Sequence, residues 1–426
     1  MTRAYVIHPN IRDGATAPRD PEAMLEEATS LTLALDLTVA DASVVNLNAP
    51  RAGWLFGSGK VEELHQSIDA VEADLVIING PITPKQQQNL EKAWDVKVLD
   101  RTGLILEIFG DRAATREGVL QVELAHLEYQ RSRLVRSWTH LERQRGGLSF
   151  VGGPGETQIE ADRRMLDEQM VRIRRQLTKT VRTRGLQRHA RQRVPFPVVA
   201  LVGYTNAGKS TLFNRLTGAN VFAEDMLFAT LDPTMRGVKL PSGQKIILSD
   251  TVGFISHLPT QLIAAFRATL EEVLEADIII HVRDAAHEDA DAQEADVLET
   301  LSALGLEDEA LERMIVALNK SDLLNDDDKE IASTRIAREG GALTSALTGD
   351  GVDSLLGLIE TRLTETDIIR VFELPHERGA ELSWLYRNSS VLERENGENS
   401  VRLTVSAPSR IFDRFDNKYD ISAITS

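Results

Sequence analysis

Cysteine is absent from this chain. Disulfides, thiolate metal sites and thiol nucleophiles are therefore excluded, which removes several enzyme classes without fixing a compartment. Also missing is any apolar run of the ~18 residues that a membrane-spanning helix needs. Met1 to Asn10 has neither the basic start nor the apolar core of a signal peptide. The expected address is the cytoplasm, with membrane association at most peripheral. The nine histidines, His8, His65, His126 and His140 among them, show no metal-ligand spacing. Neither an internal repeat nor a long low-complexity tract is present. What is there, 42% hydrophobic and 27% charged residues over 426 positions, is the composition of a globular protein of about two to four domains.

The net charge of −17 argues against a nucleic-acid partner only if it is spread evenly, and it is not. Arg116 to Arg193 holds 17 basic residues, 16 of them arginine, against 9 acidic ones. A basic segment inside an acidic protein points to a localised anionic partner.

Patterning divides the chain into four expected units. Residues 1–112 alternate short β-branched runs (Ala4 to Ile7, Leu75 to Ile78, Val96 to Leu99) with helical stretches at Pro21 to Leu35 and Thr83 to Ala93, which predicts a small α/β domain. Within 113–195, Leu120, Leu124, Leu127, Leu134, Trp138 and Leu141 form a heptad seam. A second helical pattern runs through Ile159, Leu166, Ile173, Leu177 and Val181. Between the two, Gly146 to Gly155 carries five glycines and Pro154 and cannot continue a helix. The pattern predicts a basic antiparallel helical hairpin with a glycine-rich tip. The bland alternative is a solvated coiled coil laced with charge pairs.

Residues 196–366 alternate strands (Val198 to Val202, a region at Lys239 to Asp250, Asp277 to Asp284, Arg313 to Lys320, Gly341 to Ala346) with helices, the pattern of a doubly wound, mostly parallel sheet. Residues 367–426 read as a small α+β domain, with strands at Ile368 to Leu374, Ser389 to Glu393 and Ser400 to Val405.

The chemistry concentrates in the third unit. Gly203-Tyr-Thr-Asn-Ala-Gly-Lys-Ser210 fits G-x-x-x-x-G-K-[ST], directly after a strand and with a helix expected to open at Thr211. In such a loop the amides of Gly203, Tyr204, Thr205, Asn206, Ala207 and Gly208 can close around phosphates, aided by the helix N-terminus. Lys209 is expected to reach the β- and γ-phosphates and Ser210 to ligand Mg²⁺. Asp250-Thr251-Val252-Gly253 follows an apolar strand, which would put Asp250 near Mg²⁺ through water and the Gly253 amide near the γ-phosphate. Asn319-Lys320-Ser-Asp322 ends another strand, where the Asp322 carboxylate can accept two hydrogen bonds from the guanine N1 and N2 edge. Adenine has no such donor pair. Ser345-Ala346, after the next strand, can present a backbone amide to guanine O6. In Phe228-Ala229-Thr230, Thr230 is the candidate switch threonine for Mg²⁺ and the γ-phosphate, with Thr217 and Thr234 as rivals. Together these imply a P-loop GTPase that binds GTP and GDP.

After Gly253 stands Phe254, where a Ras-like GTPase keeps the glutamine that orients water. Hydrolysis is then expected to be slow until something completes the site. Asn206 is either a K⁺ ligand that replaces an arginine finger or a brace for its own loop.

These motifs, together with Gly153-Pro-Gly-Glu-Thr-Gln-Ile-Glu-Ala-Asp-Arg-Arg164, resemble the HflX family of translation-associated GTPases, within the Obg–HflX group, over all four units. The resemblance implies binding of the 50S ribosomal subunit and its 23S rRNA at the intersubunit factor site, and separation of stalled ribosomes under stress. It also implies that the hairpin tip approaches the peptidyl-transferase region. Arginines suited to rRNA phosphates fit that picture, as does Phe150, either as a base-stacking or a packing residue.

Gly57-Ser-Gly-Lys60 mimics a second phosphate loop. Val61 replaces the Mg²⁺-binding hydroxyl, so a tight turn is expected, with a weak ATP site as the alternative. Two other functions stay open: a nucleotide-switched scaffold for a membrane protease, and an ATP-dependent rRNA-remodelling factor. A monomer is expected.

Overall fold

The computed structural model describes residues 2–11, 19–144, 154–191, 196–218, 234–256, 273–307, 310–311, 313–365, 367–397 and 399–419. In the first unit the order is β1 (Arg3–Ile11), α1 (Pro21–Leu33), β2 (Thr38–Leu47), α2 (Ser58–Ala70), β3 (Leu75–Ile78), α3 (Pro84–Trp94), β4 (Lys97–Asp100) and α4 (Arg101–Arg112). The helices begin where capping chemistry places them. Asp20 accepts from the Ala23 amide ahead of Pro21, and Thr83 with Gln86 forms a capping box around Pro84. The strands pair in parallel in the order β2-β1-β3-β4.

Alternation along β1 divides the interior. Tyr5 and Ile7 face a core closed by Phe56, Leu64, Ile68, Leu90 and Trp94, whereas Ala4 and Val6 face α1 and α4. That second core does not stop at the domain edge. It runs on through Ala200, Val202, Val252, Phe254 and Ile255, so the first sheet and the nucleotide-binding unit share one apolar interior.

Gly57-Ser-Gly-Lys60 is not the expected tight turn. Gly57 caps α2 with an ordinary φ of −70°, and Lys60 pairs with Glu63 at 2.8 Å one turn on. Val61, Leu64 and Ile68, buried at helical spacing, pull this stretch into a helix.

α5 (Arg116–Gln144) and α6 (Pro154–Arg191) form the hairpin. Its antiparallel sense shows in two ion pairs, Glu128 with Arg174 (2.7 Å) and Arg131 with Asp167 (2.8 Å). Leu120 and Leu127 pack on Met170 and Ile173, flanked by Leu124, Leu166 and Leu177. Pro154 and Gly155, expected in the tip, belong to the helix instead, because proline is suited to a first helical turn. Phe150 and the rest of the tip lie outside the described residues, as do the side chains of Trp138 and Leu141.

The third unit continues with β5 (Val198–Gly203), α7 (Lys209–Thr217), β6 (Thr234–Lys239), β7 (Lys245–Asp250), β8 (Ile278–Asp284), α8 (Ala290–Ala303), β9 (Ile315–Asn319), a 3₁₀ turn (Ser321–Leu323), α9 (Asp326–Arg338), β10 (Ala342–Leu343) and α10 (Val352–Thr364). The sheet order is β10-β9-β8-β5-β7-β6, parallel except for β6. The region expected to be strand at Lys239 to Asp250 therefore holds the end of β6, the turn and the second arm of a β6–β7 hairpin. Order reverses at β5, with β8 on one side and β7 on the other, and ligands of doubly wound sheets bind at the carboxyl ends beside such a reversal.

Last come β11 (Asp367–Pro375), α11 (Gly379–Asn388), β12 (Ser390–Asn396), β13 (Ser400–Pro408) and α12 (Ser409–Tyr419), with an antiparallel sheet in the order β11-β13-β12. Phe372, Leu403, Phe412 and Phe415 fill its core. Among the described residues, no helix is long and apolar enough to cross a membrane.

Candidate nucleotide site

The loop from Gly203 to Lys209 joins β5 to α7, and the helix opens at Lys209, two residues earlier than expected. Gly208 has φ 91°, and a Cβ there would stand 2.2 Å from Asn319 Nδ2. Only glycine fits. Asn206 takes a left-handed φ of 60° and is exposed, a conformation asparagine tolerates better than most residues.

Three loops meet at Asn319. Its Nδ2 donates to the Ala207 carbonyl (2.9 Å), and its Oδ1 accepts from the Ala346 amide (2.9 Å). Asp322 is held by a hydrogen bond from Ser345 Oγ (2.5 Å), and Lys320, at φ 63°, pairs with Asp284 (2.8 Å). The residues read from three separate motifs are therefore one hydrogen-bonded constellation.

At the phosphate end Ser210 Oγ donates to Asp250 Oδ2 at 2.8 Å. Lys209 is buried, and its Nζ donates to the Tyr204 carbonyl at 2.8 Å. Burial pushes the Lys209 ammonium down to about 8, against the opposing pull of Asp250. Behind it His281 is neutral, lowered to about 3 by burial and by Arg283 and Lys209. A Lys209 that grips phosphate has to carry its charge, so nucleotide binding through it above about pH 8 would take up a proton. Calorimetry of GDP binding in two buffers of different ionisation heat should show uptake of about three-quarters of a proton at about pH 8.5 and little at about pH 7. An unshifted lysine would give none at either pH.

Gly253 lies against the phosphate loop. A Cβ there would meet Thr205 Cγ2 at 2.8 Å and Lys209 Nζ at 3.1 Å. Phe254 is buried and strapped to the loop: its carbonyl accepts from the Thr205 amide (2.7 Å), and its amide donates to the Gly203 carbonyl (3.0 Å).

Other expected residues are close by but use their side chains differently. Thr251 donates to the Leu201 carbonyl (2.6 Å), Val252 enters the core, and Thr211 sits half-exposed on the first turn of α7. Thr217 gives its hydroxyl to the Phe213 carbonyl at the far end of α7, whereas Thr234 stands opposite Asp250 in the β6–β7 register. Phe228, Ala229 and Thr230 lie outside the described residues.

Sequence reading missed a buried network that reaches this loop from the first unit. The Tyr204 hydroxyl donates to Glu27 and accepts from the Ser256 amide (2.7 Å). Arg101 donates to Glu27 (2.9 Å), Asn79 (2.6 Å), and the carbonyl (3.0 Å) and Oγ (2.7 Å) of Ser256. Burial pushes the Glu27 carboxyl up, but Arg101 and the Tyr204 and Ser256 hydroxyls outweigh it and hold the group below its ordinary range. Burial beside Glu27 raises the Tyr204 phenol, which stays protonated. Among the described residues no cluster of three or more His, Asp or Glu could hold a metal ion.

Four family models match along the chain: GTP-binding GTPase N-terminal at 22–110, GTP-binding GTPase Middle Region at 112–191, 50S ribosome-binding GTPase at 198–320 and HflX C-terminal domain at 331–419. GTPase HflX of Magnetococcus marinus is 47% identical over 399 residues, which span 94% of this chain and 91% of that protein. The chain belongs to the HflX family of GTPases. GTPase HflX of Escherichia coli is 40% identical over 387 residues, 90% of this chain and 89% of the other. A solved complex of SsGBP with GDP shares the fold, at a TM-score of 0.50 and 22% identity, covering 86% of this chain and 99% of its own. The HflX-family chain is accordingly a GTP-binding protein and a GTPase, with a P-loop fold of mostly parallel sheet.

Proposed function

We propose that this HflX-family GTPase acts in the cytoplasm by docking its basic hairpin on the rRNA of the large ribosomal subunit. Bound in this way it separates stalled or idle ribosomes into subunits, with the nucleotide as its switch. The observation that carries the reading is the charge on α6. Arg163, Arg172 and Arg175 are exposed along this helix, in a chain that is otherwise strongly acidic. The 50S ribosome-binding description of the model matched at 198–320 agrees with it.

Within the site, Lys209 would grip the β- and γ-phosphates, with the amides from Gly203 to Gly208 around them. Asp322 would read the guanine edge, with the Ser345–Ala346 segment beside O6. Ser210 and Asp250 suit Mg²⁺, because a hydroxyl and a carboxylate oxygen 2.8 Å apart are hard donors at the mouth of a phosphate loop. When bound, Mg²⁺ would neutralise phosphate charge. Thr230, with Phe228 and Ala229 before it, is the switch segment of this proposal, and Asn206 the K⁺ contact. Gly253 would offer its amide to the γ-phosphate. Phe254 cannot orient water, so the ribosome supplies what completes the site.

Purified 50S subunits should therefore raise GTP turnover strongly, and a rate unchanged at any subunit concentration would refute the reading. Arg172→Glu with Arg175→Glu should remove most of that stimulation. It should also flatten the salt dependence of binding by roughly 0.7–0.9 of a log unit per lost phosphate contact. Arg174 is a poorer probe, because it already pairs with Glu128. A scaffold for a protein partner would keep its function in the double variant.

A further inference from the structure

The network around Ser256 joins two parts of the chain that lie far apart in sequence. Ser256 stands three residues beyond Gly253 and is fully buried. Each of its polar atoms is engaged: the amide donates to the Tyr204 hydroxyl (2.7 Å), the carbonyl accepts from Arg101 (3.0 Å), and Oγ donates to Glu27 (2.9 Å) and accepts from Arg101 (2.7 Å). Glu27 and Arg101 sit on α1 and α4 of the first unit, whereas Tyr204 is in the phosphate loop itself. An exposed pair of this kind would count for little, but here the guanidinium is 6% and the carboxylate 13% exposed. Breaking such a buried set is costly, because each partner left behind is a buried unpaired charge or dipole.

We propose that Arg101, together with Glu27, is a positioning residue for the GTP site. It pins Ser256, and through Ser256 it sets where Gly253 stands over Lys209. Gly253 lies so near the ammonium that a Cβ on it would be 3.1 Å from Nζ, and Phe254 is tied to the loop by two backbone bonds. Lys209 Nζ would reach the β-phosphate in either state, but only a third phosphate enters the space beside Nζ against which Gly253 is packed, and Gly253 has to draw back until its amide meets that phosphate. A diphosphate needs no such movement. The clamp therefore weighs against the triphosphate state and leaves the diphosphate state alone, and a differential of that kind shifts an equilibrium between two forms. Asp100, the neighbour of Arg101, accepts from Tyr129 (2.6 Å) and pairs with Arg133 on α5. The root of the hairpin and the clamp on Ser256 thus share one turn of chain, so a pull on either bears on the other.

The test is the ratio of affinities for a non-hydrolysable GTP analogue and for GDP, titrated by fluorescence on the full chain, with thermal unfolding measured in parallel. Arg101→Lys keeps the charge beside Glu27 but lacks the fork that reaches Ser256. Ser256→Ala removes only Oγ, and Arg101→Gln removes the charge. The ratio should rise toward the GTP analogue by about tenfold in the Lys and Gln variants and by less in Ser256→Ala. Adding Arg101→Lys to Ser256→Ala should give less than the product of the two effects, since both act on one contact. A ratio within about twofold of wild type in a variant that melts like wild type, or a shift toward GDP, overturns the proposal. If Arg101→Gln does not fold, the Lys and Ala variants still decide it. No ribosome is needed, and GDP binding retained by every variant separates failure here from failure of the nucleotide site itself.

Discussion

Lys209→Ala should abolish useful nucleotide binding while leaving the empty protein folded. The lysine makes charge-assisted contacts to two phosphate groups of GTP in this proposal, each worth roughly 1.5–3 kcal/mol, so the loss comes to about 4 kcal/mol for GTP, roughly a thousandfold in affinity. For GDP, which lacks the γ-phosphate, it comes to about half that, roughly thirtyfold. Stability of the nucleotide-free chain should move the other way or hardly at all. In the empty site Lys209 is a buried cation whose ammonium is held down to about 8 by burial, and deleting it removes that penalty. Thermal unfolding with and without GDP separates the two effects. With GDP at about tenfold its Kd, wild type should gain stability by linkage, whereas the variant should show nearly the same midpoint in both conditions. A variant that still gains the full GDP stabilisation would remove Lys209 from the phosphate site.

The second large effect concerns the base. Asp322→Asn should weaken GTP and GDP by about two to three orders of magnitude and turn preference toward xanthine nucleotides. A carboxylate accepts from both guanine N1 and N2, and an amide in its place sets a donor against a donor at N2. Xanthine carries a carbonyl there, and the amide pairs with it. Ser345 makes the exchange clean. Its hydroxyl donates to Asp322 Oδ1 at 2.5 Å, and the same donor would hold an asparagine by its oxygen, with the NH₂ free to turn to the base. Competition of xanthosine and guanosine diphosphates for the variant reads the outcome directly. Unchanged guanine preference would mean that another group reads the base.

The parts of this molecule legible in sequence are those where one local pattern carries the information. β3 is Leu-Val-Ile-Ile, a continuous, β-branched apolar run typical of a strand buried on both faces, and β8 is buried along its whole length. The phosphate loop is legible because its glycines, lysine and hydroxyl must be adjacent in sequence to surround a phosphate. The hairpin is legible down to Leu120 and Leu127, but not Met170, which packs with them. Where the pattern is mixed, reading fails. β2 carries Asp41, Ser43 and Asn46 among its apolar residues and was not anticipated, and α2 was hidden behind a glycine motif that looked like a turn. The Ser256 clamp had no local sign at all. Its bonds join residues 155 and 229 positions apart, and Glu27 on an amphipathic helix reads as one more surface acid. Long-range polar pairs leave no periodicity, so only the folded chain reveals them.

The central claim is that one site, formed by Lys209, Asn319 and Asp322, takes guanine nucleotides and refuses adenine ones. Calorimetric titration of the intact chain with GDP and ADP tests it most directly. GDP should bind at one site per chain, at least about a hundredfold more tightly than ADP. Equal affinity for the two nucleotides, or a second site of comparable strength, would contradict it.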